Sequence, residues 1–174
     1  MRNAQQLLTQ YAAYHRDRRN IATHFIGVPL IVFGVGVLLA RPAFELGGLT
    51  LTPAWLAFAL ATLWYLSRGF AVGLATSAGV GVLILLAHPA ASGSVAGWLG
   101  RGVGAFAVGW VIQFVGHYYE GRKPAFVDDL IGLLVGPMFV VAEWLFMLGW
   151  NTPLLQAIEA EVGPTVLRDL AHPA

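Results

Sequence analysis

The chain has 174 residues, of which 57% are apolar and 11% charged, whereas a soluble domain carries about 25% charge. So little charge cannot cover the surface of a soluble domain of 18.6 kDa, which excludes an ordinary soluble enzyme and, with so apolar a composition, a disordered chain. A net charge of +1 gives no field that would attract nucleic acid, and the absence of cysteine removes disulfides, thiolate metal sites and cysteine nucleophiles together.

The composition fits an integral membrane protein whose outer surface meets lipid, and the apolar segments can be followed in order. Residues 1–19 hold Arg2, Arg16, Asp17, Arg18 and Arg19 with no apolar core before them, so they do not read as a signal peptide. Leu7, Leu8, Tyr11, Tyr14 and His15 recur at helical spacing. They predict a short amphipathic helix over 4–15, lying against the membrane or the bundle. Residues 21–40 contain a single ionisable group, His24; twenty helical residues cover about 30 Å, the thickness of the hydrocarbon core.

Residues 53–66 form a shorter span with Trp55, Trp64 and Tyr65 near its ends as interface anchors. After the turn at Ser67, Arg68 and Gly69, residues 70–87 form a third span rich in Gly and Ala, which allow close helix approach. Residues 88–100, with His88, Pro89 and several Gly and Ser, read as a loop. Residues 102–119 form a fourth span, and 130–150 a fifth with Pro137 and Glu143 inside it. Asp128 and Asp129 read as its cap, and 151–174 as a polar tail. The expected fold is therefore all-α: one membrane-embedded domain over 1–174, with four or five transmembrane helices preceded by the amphipathic helix. No alternating strand pattern is evident.

Basic residues set the expected orientation. With the N-terminus inside, inner segments hold Arg2, Arg16, Arg18, Arg19, Arg68, Arg122 and Lys123, against Arg41, Arg101 and Arg168 outside. This places the N-terminus in the cytoplasm, as in a bacterial inner membrane or the endoplasmic reticulum. The last span is the sensitive point: a break at Pro137 would return the tail to the cytoplasmic side. Arg16, Arg18 and Arg19 read as topology determinants that contact lipid headgroups.

Polar groups inside spans are costly and mark a partner or a function. Two sets stand out: His15, Asn20 and His24, and Gln113, His117 and Glu120. The first span runs outward and the fourth inward, so both sets fall at the same inner end. Asn20 and His24 share a helix face, as do Gln113, His117 and Glu120. His15 and His24 are nine apart, about half a turn out of phase, and can share a site only if the helix breaks between 16 and 20. Asp17 and Asn20 are residues that cap such a break.

Three neutral imidazoles suit iron, copper or zinc, and an open-sided set suits non-haem Fe(II). His15, His24 and His117 are the candidate ligands. Glu120 is a further ligand or an acceptor that fixes a histidine tautomer, and Asn20 and Gln113 are positioned to hydrogen-bond a ligand or a water. Each histidine taken singly also reads as a satisfied structural residue, and Glu143 as a hydrogen-bonded structural carboxylate or part of a polar path. His88 and His172 carry no assigned role. Gly27, Gly34 and Gly36 read as packing residues.

The two segments His15, Asn20, His24, Pro29 and Gln113, Gly116, His117, Glu120, Pro124, Ala125 resemble the Mpo-type family, and Asp128, Leu130 and Pro137 continue the match. The resemblance implies an Fe(II)-dependent membrane dioxygenase. It would consume dioxygen and a 2-hydroxy fatty acid, shortening the acyl chain by one carbon as in fatty acid α-oxidation. It puts the family's motif histidines on His15, His24 and His117. Lys123 before Pro124 and Asp129 in place of an expected amide depart from the pattern without touching those ligands. A 2-hydroxy acid offers its hydroxyl and carboxylate to such a metal, with its acyl chain in the apolar bundle. Competing readings are haem ligation by His24 and His117, a di-metal hydroxylase, which needs more clustered histidines than five, and a non-catalytic lipid-binding protein.

Overall fold

Asp17 stands between the two N-terminal motif histidines and starts a helix, as seen in a computed structural model that describes residues 2–124 and 131–169. Ala125, Asp128, Asp129, Leu130 and His172 lie outside the described residues. Helix α1 (Ala4–Ala12) opens on a reciprocal cap: the Asn3 side chain accepts from the Gln6 N–H while the Gln6 side chain accepts from that of Asn3. It buries Leu7, Leu8 and Ala12 against helices α6 (Gly132–Met147) and α7 (Thr152–Val162). Helix α2 (Arg18–Ala40) begins one residue after Asp17, whose carboxylate accepts from the Arg19 N–H. A helix break between His15 and His24 is therefore present, but it falls at 13–17, ahead of the expected 16–20: α1 ends at Ala12, short of the expected residue 15, and Asn20 is already helical, so that Asp17 alone caps α2.

Thr52 caps α3 (Pro53–Arg68), which has proline in its first turn, and Ser94 caps α5 (Val95–Glu120). Between them lies α4 (Phe70–Ala90). Arg68, at the end of α3, donates to the Arg2 carbonyl, while His88, near the end of α4, meets Thr52. So α3 runs toward the histidine end and α4 away from it. Helices α2, α4 and α5 are each long and apolar enough to cross a membrane, and α3 has 16 residues. Leu56, Leu60, Leu63, Leu85 and Val111 are exposed on their outer faces, the surface a lipid-facing protein needs.

The central seam joins α2 and α5, antiparallel and very close. A Cβ on Gly27 would lie 2.9 Å from the Gly109 carbonyl oxygen, and one on Gly34 2.7 Å from that of Gly102. A Cβ on Gly116 would overlap Thr23 Oγ1 and stand 2.5 Å from Asn20 Oδ1. Glycines at 102, 109 and 116 thus recur every seventh residue opposite Gly34, Gly27 and Asn20 in turn. Backbones approach this closely only where side chains are missing.

The structure differs from the sequence reading in four further places. The loop at 88–100 contracts to 91–94: α4 continues through Pro89, and the glycine-rich stretch after Ser94 is helical. Its packing overrides the poor propensity of glycine, with the Trp98 indole donating to the Val37 carbonyl. Second, a small antiparallel hairpin, β1 (Phe44–Leu46) and β2 (Leu49–Leu51), joins α2 to α3. Third, the expected polar tail contains α7.

The fourth difference concerns α6. Gly136 lies beside Val28 and Tyr11, the Trp144 ring is 5.6 Å from that of Phe25, and Glu143 is 3.7 Å from Arg16. Helix α6 thus returns to the histidine end. It is continuous through Pro137, and the chain bends instead between α6 and α7, by 115°. The tail comes back with it, so Arg168 joins the basic residues at the histidine end, leaving Arg41 and Arg101 at the other.

Candidate metal centre

The break at residues 13–17 turns His15 back toward the face of α2 that carries His24, and α5 supplies His117 from across the glycine seam. One ring nitrogen from each of the three lies within 4.8 Å of the others. All three rings are buried, with centroids 4.4 Å apart for His15 and His24, 4.9 Å for His15 and His117, and 5.3 Å for His24 and His117. The Tyr11 ring stacks on His15 at 4.1 Å.

The hydrogen bonds assign the tautomers. His15 Nδ1 is 2.7 Å from the Tyr11 carbonyl oxygen, and His24 Nδ1 is 2.8 Å from that of Asn20. A carbonyl only accepts, so both Nδ1 atoms carry the proton. Burial, with His24 and His117 alongside, holds His15 well below its ordinary pKa, so its ring is neutral. In neutral rings protonated at Nδ1, both Nε2 atoms present lone pairs, and they face each other at 3.0 Å. Two lone pairs at that separation repel unless a cation lies between or beside them. That donor set fits a divalent first-row metal.

Glu120 bears on the backbone beside His15 rather than fixing a ring. Its Oε2 accepts from the Arg16 N–H at 3.0 Å, the Asp17 N–H at 2.8 Å and the Asn20 amide at 3.0 Å. Its Oε1 pairs with Arg168 at 3.0 Å. The acceptors that fix the tautomers of His15 and His24 are carbonyls, a role that spacing alone assigned to Glu120. Glu120 can hold this position because α5 stops immediately afterwards: Gly121, at φ +67°, closes the helix through bonds to the His117 and Tyr118 carbonyls. Asn20 gives its second amide hydrogen to the Tyr14 carbonyl at 3.1 Å, tying α2 to the same turn.

Gln113 is 4% exposed, and neither its Oε1 nor its Nε2 has a hydrogen-bond partner among the described residues. It lines a small cleft, about 60 Å³ in volume, that also touches His24 and His117. The cleft continues between Val28, Ile31, Trp110 and Pro137. Ile31 and Trp110 each lie seven residues from a motif histidine, about 10 Å along a helix. The cleft thus has a polar end at the histidines and an apolar end inside the bundle.

All six residues singled out from the sequence come to this end of the bundle. His15, His24 and His117 form the cluster, Gln113 faces the cleft, and Asn20 and Glu120 brace the turn. Glu143 pairs with Arg16 and stands outside the cluster. His88 is remote, held by Thr52, the Ile84 carbonyl and a stacked Trp55. Sequence reasoning missed Tyr11 as the acceptor for His15 and Arg168 as the partner of Glu120. The i, i+4 spacing of Tyr11 and His15 was a usable signal for the first; for the second there was none.

The family model described as 2-hydroxy-palmitic acid dioxygenase Mpo1-like matches residues 1–148. The chain is 32% identical over 155 residues to the 2-hydroxy-palmitic acid dioxygenase MPO1 of Saccharomyces cerevisiae, covering 87% of this chain and 85% of that protein. No solved structure matches it. Since the family match takes in both histidine segments and every helix between them, the chain belongs to the Mpo1-like family.

Proposed function

We propose that this protein is a membrane dioxygenase acting on 2-hydroxy fatty acids, with Fe(II) held by His15, His24 and His117. Family membership supports the reaction class and the substrate class. The observation that carries the metal is the pair of facing Nε2 lone pairs at 3.0 Å, fixed by carbonyls behind them. Bound there, Fe(II) would activate dioxygen, which takes up the four electrons released as a 2-hydroxy acid becomes the acid one carbon shorter, carbon dioxide and water.

The residues do the rest. Tyr11 and Asn20 keep two imidazoles in the binding tautomer through their carbonyls. Gln113 has an unpaired donor and an unpaired acceptor facing the cleft, matched to the hydroxyl and carboxylate oxygens of a 2-hydroxy acid. Val28, Ile31 and Trp110 take the first part of the acyl chain and keep water from it. Glu120 and Asn20 hold the turn that carries His15.

The bundle crosses the membrane four times, through α2 to α5, with α6 entering and returning on the histidine side. Most basic residues lie at that end, which supports a cytoplasmic position for the N-terminus, the tail and the metal site. The substrate headgroup stays at that interface while its chain enters the bilayer.

The test is iron content of protein purified without oxygen, followed by oxygen uptake on a 2-hydroxy acid, with the unhydroxylated acid as control. Stoichiometric iron and turnover of the hydroxy acid alone are expected. Equal turnover of both acids removes the role given to Gln113, and a haem absorption band accounting for the iron removes the three-histidine site.

A further inference from the structure

Residues 163–168 return to the turn between the motif histidines and bind it from outside. Val166 forms a parallel bridge with Asp17: the Arg18 N–H donates to the Val166 carbonyl at 2.9 Å, and the Val166 N–H to that of Arg16 at 2.8 Å. The Arg16 guanidinium donates to the Gly163 carbonyl at 3.0 Å, and Arg19 to that of Arg168 at 2.7 Å. Arg168 then makes two contacts of its own. Its backbone N–H donates to Asp17 Oδ2 at 2.8 Å, and its guanidinium meets Glu120 Oε1 at 3.0 Å. Asp17 and Glu120 are both fully buried at their side chains, and each needs a cation beside it. Arg19 serves Asp17, and Arg168 serves Glu120.

We propose that Arg168 is a positioning residue of the metal centre, and that residues 163–168 act as a strap fixing His15 relative to His24 and His117. The path is short. Arg168 holds Oε1 of Glu120, Oε2 of Glu120 holds the N–H groups of Arg16 and Asp17, and His15 is the next residue. The strap lies beyond residues 1–148, the part matched by the family. Of the three ligands, His15 alone stands outside a helix, so its place depends on what ties down the turn. Loss of the Arg168 guanidinium leaves Oε1 of buried Glu120 without its ion-pair partner and loosens the turn, while the α2–α5 seam holding His24 and His117 stays intact.

The inference rests on the proposed three-histidine site, and the experiment separates the two. Fe(II) or Co(II) affinity of the full chain in detergent is measured for wild type, Arg168→Ala, Arg168→Lys and Arg41→Ala, together with kcat and KM for a 2-hydroxy acid. Amide hydrogen exchange over 14–19 is followed in the same samples. Arg168→Ala should lose about 10–100-fold in metal affinity, the range for residues that hold ligands in place. Its kcat should fall more than its KM changes, and exchange over 14–19 should accelerate. Arg168→Lys should recover most of the affinity, and Arg41→Ala, at the other end of the bundle, should match wild type. If alanine prevents folding, Arg168→Gln, which keeps the length and a donor, takes its place with the same expected direction. Wild-type affinity and wild-type exchange in the charge-removed variant overturn the strap while leaving the metal site standing. A wild-type protein that binds neither metal overturns the site itself.

Discussion

His15 and His24 bring their Nε2 atoms to 3.0 Å across nine residues of chain, with each ring anchored by its Nδ1–H on a carbonyl four residues earlier. Both rings use the same local device, an i to i−4 bond, once at the end of α1 and once in the first turns of α2. The change of direction at residues 13–17 turns two side chains that a continuous helix would hold on opposite sides into a facing pair. Buried, neutral and unable to satisfy each other, they form a site poised for a cation.

Replacing His15, His24 or His117 by Ala removes one of three donors. Iron content should fall severalfold or more in each variant, measured by metal analysis after anaerobic purification. His88→Ala should retain wild-type iron, because His88 sits at the other end of the bundle against Thr52 and Trp55. Full activity in His117→Ala would remove the proposed site.

Glu120→Gln keeps the shape of the side chain and removes the charge that accepts three N–H bonds and meets Arg168. Hydrogen bonds to charged groups contribute about 1.5–3 kcal/mol each. Metal affinity should drop about 10–100-fold, with His88→Ala as the near-neutral reference. Titration of the purified variants with Fe(II) reads this directly.

Gln113→Leu replaces the cleft-lining amide, which has no partner among the described residues, by an apolar side chain of similar size. It should lower kcat/KM for a 2-hydroxy acid about 10–100-fold, as loss of a buried polar contact does. Iron content should stay at the wild-type level, because Gln113 lies outside the histidine cluster. Steady-state oxygen uptake together with metal analysis distinguishes the two effects.

Gly116→Ala and Gly104→Ala test the helix seam. A methyl at 116 would collide with Thr23 and Asn20, whereas at 104 it meets nothing within 4 Å. The first should destabilise by about 1–3 kcal/mol and lower metal occupancy by moving Asn20. The second should be neutral or stabilise by up to about 1 kcal/mol. Thermal unfolding in detergent reports both, and equal effects would contradict the packing described.

Acid should weaken the metal-free protein. His15 is held below its ordinary value, so on acidification the unfolded chain takes this proton before the folded one, and stability falls as pH drops below about 6.5. Burial pushes the Asp17 carboxyl up, but Arg19 and the Arg168 N–H outweigh it and hold it down to about 2. Its contribution is present above its ordinary value of 3.8 and is lost as pH falls toward about 2. The Tm of metal-free protein should therefore decline from about pH 7 to about pH 5, and less steeply in His15→Phe. A Tm that rises over that range would contradict the neutral state of His15.

Much was legible along the chain because it depends on neighbours in sequence. The apolar segments, the pairing of Asn20 with His24 and of Gln113 with His117, and the need for a break near Asp17 all follow from helical period and capping chemistry. The seven-residue spacing of Gly102, Gly109 and Gly116 was equally visible, though its meaning appears only when α5 lies on α2. Other features had no local signature. The course of α6, the return of residues 163–168 and the pairing of Arg168 with Glu120 join groups far apart in sequence. Hydropathy measures how well a segment suits lipid and carries no information about its direction or depth, so 130–150 read as a crossing. Glu143 meeting Arg16 and Glu120 meeting Arg168 pair these charges at the histidine end, where an unpaired charge in an apolar bundle would be costly, and only the tertiary structure brings the partners together.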